Sequence, residues 1–262
     1  MAIEDVREMW TRGDYTIVGD WFAEASRAAL TGLELDGRTL LDVACGTGAV
    51  ALAAARAGAK VTGLDVTPAM LVEARRRAEA LRLEVDWREA SFDDLADVGR
   101  FDVVASSFGI IFAGAQEKAA ADLLAACAPG GVVSIVAWRP EGAFGRLPPK
   151  IAAMLPPAAQ AFDPCRWATA EGLKAIFDGL PATLGALRTA VVGMPFDSAD
   201  DVVDQMLEHS GPWQMLYEAL SAHGAGEVAR AALRDHVAGF VRPTADGIIL
   251  DAAYSVARIR PA

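Results

Sequence analysis

The sequence predicts an α/β fold in which a mostly parallel sheet of seven strands carries helices on both faces. Short apolar runs alternate with helical stretches through the first half of the chain, and a glycine turn joins the first run to the first helix. The chain has 262 residues, of which 53% are hydrophobic, and this is enough for one large core. We therefore expect a single domain over residues 1–262.

The elements follow from apolar runs and their boundary residues. In the first half, helices fit between the strands at 48–58, 69–82 and about 116–127, and the second of them begins at Thr67-Pro68, a typical helix start. Such alternation gives right-handed crossovers and parallel strands. The seven predicted strands are 38–44, 60–66, 83–90, 101–107, 131–138, 187–196 and 247–261.

The second half of the chain is less regular. Residues 139–186 are rich in proline and glycine and predict an irregular insertion with a short helix near 169–178. Helices fit 199–209, 213–222 and 226–241, and so much helix before the last strand is long for a plain connection. We expect residues 197–245 to form a helical cap inserted before the last strand, over the strand ends.

Charge and composition exclude several classes of partner. The net charge of −11, without a basic stripe, argues against nucleic acids and anionic membrane surfaces. Cys45, Cys127 and Cys165 are widely spaced, which argues against a disulfide framework or a zinc site.

The start MAIEDVREMW has no signal-peptide pattern, and no apolar run reaches the ~18 residues of a membrane span, so we expect a cytoplasmic protein. The preference for arginine over lysine suggests a bacterial source.

The stretch LLDVACGTGAV (40–50) raises the question of a ligand. Gly46, Gly48 and Ala51 match the G-x-G-x-x-G/A spacing of a dinucleotide site, although a tight turn alone also needs glycine. The loop opens a helix, whose free N–H groups favour an anionic group. Asp65 ends the next strand, nineteen residues after Gly46, where a carboxylate can accept from both hydroxyls of a ribose.

Asp42 discriminates between two adenosine cofactors. A dinucleotide would place its pyrophosphate at this loop, where a nearby carboxylate repels it. A ligand with an ammonium and a sulfonium group would instead be attracted by Asp42. The residues therefore favour S-adenosylmethionine over NAD, and a nicotinamide oxidoreductase stays as an alternative.

Three segments carry a family resemblance. LLDVACGTGAVAL, VTGLDVTPAMLVEAR and FDVVASSFGIIF followed by APGGVVSIVAW resemble the motifs of class I S-adenosylmethionine-dependent methyltransferases. The resemblance covers residues 10–140 or so. It is nearest to the bacterial small-molecule branch, which includes quinone-biosynthesis C-methyltransferases, and it implies a Rossmann-like sheet.

The resemblance implies roles for several residues. Gly46 and Gly48, in the loop that begins at Ala44, would let the backbone approach the methionine moiety. Asp42 would lie at the amino-acid end of the cofactor, acting through water or the loop backbone, and Asp65 would bind the ribose diol.

Further roles follow from the flanking motifs. Val66 and Met70 would flank the adenine, although ordinary packing is an equal alternative for both, as it is for Trp10. Ser106 would offer its carbonyl near the ammonium group. Trp10 and Tyr15 match an N-terminal segment that closes over the cofactor in relatives, so residues 1–35 are expected to form a helical lid.

One departure from the family pattern concerns the adenine. Relatives usually have Gly-Asp-Ala after the third strand, whereas this chain has Ala90-Ser91-Phe92. Ser91 can still accept a hydrogen bond, and the Phe92 N–H could reach the ring, but the charged acceptor is lost. Glu89 or Asp93 are candidates to compensate.

The acceptor is predicted only by class. Phe108, Phe112, Trp138 and Phe144 follow strand ends and could line a pocket for a hydrophobic or aromatic small molecule, although core packing is an equal alternative. A base is needed only if the accepting group must lose a proton, and His209 is the best candidate, with a solvated or capping role as its alternative.

Several functions remain open at this point. The leading hypothesis is a small-molecule methyltransferase, with specialised metabolism as a candidate role and O-, N- and C-methylation undecided. A quinone-ring C-methyltransferase and a non-catalytic S-adenosylmethionine-binding protein are the alternatives.

Overall fold

A computed structural model describes residues 3–156 and 162–262, with side chains described from residue 6 onward. Residues 1–2 of the predicted lid and 157–161 of the predicted insertion lie outside the described residues. Five strands run parallel: β1 (Thr39–Val43), β2 (Lys60–Asp65), β3 (Asp86–Glu89), β4 (Phe101–Ser107) and β5 (Cys127–Trp138). Four more pair antiparallel: β6 (Ala182–Leu184), β7 (Arg188–Phe196), β8 (Val241–Thr244) and β9 (Gly247–Pro261).

The strands form one sheet in the order β3-β2-β1-β4-β5-β9-β7, and the short β6 and β8 pair with β9. The predicted α/β class with a mostly parallel sheet is thus confirmed. Seven strands make up the body of the sheet, and the two additional strands are only three and four residues long. Among the described residues no helix is long and apolar enough to cross a membrane.

Helices cover the sheet and its carboxyl edge. The helix predicted over 226–241 ends at residue 238, because the sequence VRPTADG that follows turns into the β8–β9 hairpin. The helices are α1 (Ile3–Thr11), α2 (Tyr15–Arg27), α3 (Ala49–Arg56), α4 (Pro68–Leu81), α5 (Gln116–Ala126), α6 (Pro149–Ala152), α7 (Ala170–Ile176), α8 (Ala199–His209), α9 (Gly211–Ala222) and α10 (Gly226–Ala238).

The core lies on both faces of the sheet because side chains of a strand alternate. In β1, Leu40 packs in one apolar cluster with Ala51, Ala54 and Val61, while Leu41 packs in the other. Both leucines are fully buried. This two-sided burial fixes β1 in the middle of the sheet, so that its carboxyl end faces the functional cavity.

The N-terminal helices are held to the cap by backbone contacts. Gly13 forms an isolated bridge with Ser210, and the Asp14 N–H donates to the carbonyl of His209 (3.0 Å). A Cβ added to Gly211 would lie 1.9 Å from the Met9 carbonyl oxygen. The crossing of α1 with the start of α9 therefore requires glycine.

Candidate functional site

A cavity of about 860 Å³ lies beyond the carboxyl ends of β2, β1, β4 and β5. Since neighbouring strands are ~4.8 Å apart, the three spacings from β2 to β5 amount to roughly 14 Å. We call the part lined from residues 44–49, 65–70 and 90–92 the glycine-loop end. The part around Phe22, Phe108, Trp138 and Phe144 is called the aromatic end. The volume lies within the range of about 300–1,000 Å³ that is typical of small-molecule sites.

The two predicted loop glycines are needed for different reasons. Gly46 has a positive φ of 53° and lines the cavity, and a Cβ added there would meet nothing within 4 Å. Gly48 has a φ of 88° and begins α3, but it does not line the cavity. A Cβ at Gly48 would lie 2.9 Å from the ring of Trp87. Of these two glycines, only Gly46 leaves its backbone accessible to a ligand in the cavity.

Asp65 lines the glycine-loop end as predicted, at the end of β2. One carboxylate oxygen accepts from the Gly46 N–H and the other from the Thr67 N–H, both at 2.9 Å. Burial raises the pKa of Asp65, and these two hydrogen bonds act against that rise. Each oxygen has accepted one hydrogen bond and retains a lone pair for a ligand hydroxyl.

The side chain of Asp42 does not line the cavity, and its predicted role at the cofactor through water or the loop backbone stays a prediction. It is 1% exposed, and its Oδ2 accepts from the Ala51 N–H of α3 at 2.9 Å. Burial, and to a smaller extent the charge of Asp65, raises the pKa of Asp42 to about 8. Asp42, one residue before the end of β1, faces α3 and ties the strand to the first turn of that helix.

The third-strand region keeps an apolar surface. Ala90, Phe92, Val66 and Met70 line the cavity, but Ser91 does not. The Ser91 hydroxyl instead accepts from the Asp93 N–H at 3.1 Å.

Neither compensating carboxylate suggested by the sequence lines the cavity. Glu89 is paired with Arg7 of α1 at 2.6 Å, and the Asp93 carboxylate lies near the Ser91 hydroxyl. The family's charged acceptor therefore has no replacement among the described lining residues.

The N-terminal helices cover both the sheet edge and the cap. Trp10 and Tyr15 line the cavity, and the Trp10 ring lies 4.9 Å from that of Phe112. Arg7 Nε donates to the Val66 carbonyl at 3.0 Å, while the Tyr15 hydroxyl accepts from the Gly211 N–H at 3.2 Å. Burial raises the pKa of Tyr15 well above its usual value.

Four side chains form the aromatic end. Phe108 stacks on Trp138 with ring centres 3.8 Å apart, and Phe22 meets Trp138 edge-on at 4.9 Å. Phe144 lies 5.2 Å from Trp138. All four line the cavity, and Phe112 lines it too. The structure therefore brings the four aromatic residues predicted from the sequence to one site, namely Phe108, Phe112, Trp138 and Phe144.

Phe22 was not singled out in the sequence, although a signal was present. Tyr15, Val18, Phe22 and Ser26 all line the cavity from α2. Their spacing of three or four residues is that of one helix face. A search of the N-terminal segment for an amphipathic stripe would have found them.

Phe108 has the strained backbone that is common near functional sites. Its φ is 56°, as is that of Ala44 at the end of the neighbouring strand β1. A Cβ on Gly109 would lie 2.4 Å from the Cβ of Ala44, so the two turns pack closely. This packing sets the Phe108 ring against Trp138.

The cap contributes apolar side chains, but not its histidine. Met206, Trp213 and Leu216 line the cavity. The side chain of His209 does not line it, and its ring lies 6.3 Å from that of Trp21. The geometry therefore gives no support to His209 as a base.

The sequence singled out the carbonyl of Ser106, whereas the structure places the next residue, Ser107, at the cavity. Ser106 is fully buried and does not line the cavity, whereas Ser107 does. The remaining ionisable side chains near the aromatic end are Arg146 and Asp163, paired at 3.0 Å, and Cys165. Burial raises the pKa of Cys165 to about 12, so its thiol stays protonated at neutral pH.

Comparison with known proteins decides the family. Residues 40–131 match a family model described as a methyltransferase domain. The chain is 32% identical over 220 residues to an uncharacterized protein of Mycobacterium tuberculosis, covering 82% of this chain and 80% of the relative. A demethylmenaquinone methyltransferase of Thermus thermophilus is 42% identical over 126 residues, which are 45% of this chain and 56% of that one.

The chain belongs to the class I S-adenosylmethionine-dependent methyltransferases. A solved S-adenosylmethionine-dependent methyltransferase of Thiobacillus denitrificans has the same fold, with a TM-score of 0.52 and 22% identity over 93% of this chain and 91% of that one. The predicted family, fold and cofactor of this methyltransferase are thus confirmed.

Proposed function

We propose that this methyltransferase transfers the methyl group of S-adenosylmethionine to a hydrophobic or aromatic small molecule. The observation that carries the proposal is one cavity with Asp65 and open loop backbone at one end and four aromatic rings at the other. The cavity joins a polar ribose-type site to an apolar one across four strand ends. This arrangement fits two ligands side by side.

The residues of the glycine-loop end fit the cofactor. Asp65 retains a lone pair on each oxygen for the two ribose hydroxyls, and the backbone at Gly46 is open to the cavity. Val66, Met70 and Phe92 offer the apolar surface that an adenine ring needs. We propose these five residues, with Ala44, Trp10 and Tyr15, as the cofactor site.

The acceptor would lie at the aromatic end. S-adenosylmethionine supplies an activated methyl group when bound, so the protein's main task is to align the acceptor and exclude water. Phe22, Phe108, Trp138 and Phe144 provide flat apolar surfaces for this, and α9 covers them. Among the described lining residues of this end, Asp163 is held by Arg146, so no free base is offered.

Calorimetry followed by a transfer screen tests the proposal. We expect S-adenosylhomocysteine to bind and NAD not to bind. Methyl transfer from labelled S-adenosylmethionine is then screened over hydrophobic phenols, indoles and amines, narrowed by the genomic neighbours of the coding sequence. Binding of NAD alone would refute the cofactor site. Tight cofactor binding without transfer to any compound would favour a non-catalytic binding protein.

Quinone-ring C-methylation is a second candidate, favoured by the partial similarity to the Thermus thermophilus enzyme. The apolar aromatic end suits a quinone ring. Demethylmenaquinone in detergent micelles, added to the same screen, distinguishes this candidate. Transfer to carbon of the quinone, and not to phenols or indoles, would select it.

We also propose that the enzyme works in the cytoplasm and without nucleic acid or stable membrane partners. Cys45, Cys127 and Cys165 are all free and buried, as suits a reducing compartment. Fractionation of the native cells, followed by detection of the protein, checks this assignment.

A further inference from the structure

Two neighbouring serines at the end of β4 have opposite surroundings. Ser106 is fully buried, and its hydroxyl donates to the Val43 carbonyl (2.8 Å) and accepts from the Ile110 N–H (3.1 Å). The Ser107 hydroxyl oxygen is buried and has no hydrogen-bond partner within the described structure. Because strand side chains alternate between faces, the two hydroxyls cannot share partners.

Ser107 is also placed where the two ends of the cavity meet. Three buried side-chain polar atoms lack a partner in the described part of the chain, on Thr67, Ser107 and Trp167, and only Ser107 lines the cavity. It lies in β4, between β1 with its glycine loop and β5 with Trp138. The next residue, Phe108, stacks on Trp138.

The ionisable side chains beside the aromatic end and the Tyr15 hydroxyl are already engaged. Arg146 and Asp163 form an ion pair, and the Tyr15 hydroxyl accepts from the Gly211 N–H. A buried hydroxyl without a partner is costly, and that cost is relieved when a ligand supplies the missing hydrogen bond. Ser107 is only half-buried as a residue, and a rotation about χ1 between staggered positions can turn its hydroxyl to the cavity.

We propose that Ser107 is a specificity-determining residue that hydrogen-bonds the polar group of the acceptor. The acceptor would be a neutral aromatic molecule with a hydroxyl or ring N–H, whose ring packs against Phe108 and Trp138. This inference rests on the proposed function, since it assumes that the aromatic end takes the acceptor.

The test uses two ring systems that differ in one group. Indole and indene have nearly the same shape, but only indole has an N–H. Each is titrated into the full chain saturated with S-adenosylhomocysteine. We expect indole to bind about ten times more tightly than indene, as one hydrogen bond of about 1.4 kcal/mol predicts.

A matched pair of variants isolates the hydroxyl. Ser107→Thr and Ser107→Val add the same bulk, and only the first keeps the hydroxyl. We expect Ser107→Thr to retain the preference for indole and Ser107→Val and Ser107→Ala to lose it. With a turned-over acceptor from the screen, Ser107→Ala should raise KM more than it lowers kcat.

The outcomes separate this inference from the proposed function. If S-adenosylhomocysteine does not bind, the proposed function fails at the first titration. If it binds and all four proteins show the same indole-to-indene ratio, or wild type binds neither probe, the role of Ser107 is refuted. Unchanged cofactor affinity in the variants confirms that they are folded at the glycine-loop end.

Discussion

The glycine-loop end is lined mainly from one stretch, residues 44–92, with Trp10 and Tyr15 added by the N-terminal helices, whereas the aromatic end gathers side chains from α2, β4, β5, the insertion and the cap. At the first end, Asp65 is fixed by two backbone N–H groups. At the second, Phe22 and Phe144 contact Trp138 and each other through their rings, and no described hydrogen bond orients them. A ligand common to a family suits the first construction, and a ligand that differs among members suits the second.

The largest effect that would test this contrast is loss of the Asp65 carboxylate. Asp65→Ala should weaken binding of S-adenosylhomocysteine more than about 100-fold, because the ribose loses its acceptors and the Gly46 and Thr67 N–H groups lose theirs. Calorimetry measures the affinity. Asp86→Ala, which removes an exposed carboxylate from β3, is the control and should leave the affinity unchanged. Equal affinities of the two variants would contradict the assignment.

The contact of Gly13 in the lid with His209 in the cap should contribute to the free energy of unfolding. Gly13 and Gly224 have similar φ values, 80° and 74°, but a Cβ on Gly13 would lie 2.2 Å from the His209 carbonyl oxygen and one on Gly224 meets nothing. We expect Gly224→Ala to cost about 1 kcal/mol of unfolding free energy and Gly13→Ala about 3 kcal/mol. Urea unfolding measures both. Equal costs would show that the junction is unimportant.

Truncation of a side chain at one end of the cavity should weaken binding only of the ligand at that end. Phe22→Ala at the aromatic end should raise the KM for the acceptor about tenfold and leave cofactor affinity unchanged. Met70→Ala at the glycine-loop end should do the reverse, since each removes apolar contact from one ligand only. Steady-state kinetics and calorimetry give the two numbers. The division of the cavity fails if both variants change both constants alike.

Asp42 should make stability depend on pH. Burial raises its pKa from 3.8 to about 8, so between these values the folded chain holds a proton that the unfolded chain has released. The free energy of unfolding should therefore fall as pH rises through this window, by at most about 1.4 kcal/mol per pH unit, and level off above it. The raised pKa of Asp65 acts in the same direction.

Asp42→Asn removes this ionisable group, and urea unfolding between about pH 6 and 8 should show a smaller slope than in wild type. Asp97→Asn, at an exposed position, is the matched control and should keep the slope. A slope that persists in Asp42→Asn would mean that other groups cause it.

The smallest effect is expected at the cap histidine. His209→Ala should change kcat less than about twofold, because its side chain does not line the cavity. A pH–rate profile of the variant provides a second readout. A large loss of kcat with unchanged KM would restore His209 as a base candidate.

The sequence predicted the glycine-loop end closely because that end is local. Gly46, Asp65, Val66 and Met70 lie where strand ends and motif spacing placed them. The side-chain partner of Asp42, the Ala51 N–H of α3, was not predicted, because spacing along a strand does not say whether a side chain faces a ligand or the helix packed on the sheet. Ser107 was not singled out beside Ser106 for the same reason: one residue of register changes the face.

The aromatic end was predicted in part. Phe108, Phe112, Trp138 and Phe144 were identified because they follow strand ends, which meet at one edge of a parallel sheet. Met206 and Trp213 were missed, since no spacing rule links the cap to that edge, and Phe22 was missed because the amphipathic stripe of α2 was not searched for.

The sequence by itself determined the class of fold, the family and the cofactor, because periodicity and the glycine loop encode local structure and one shared ligand. The tertiary structure decided which carboxylate faces the cavity, which of two serines is unpaired, and that α2 and the cap complete the aromatic end. These depend on packing between segments far apart in the chain, as in the Gly13–His209 contact, and no local pattern records such packing.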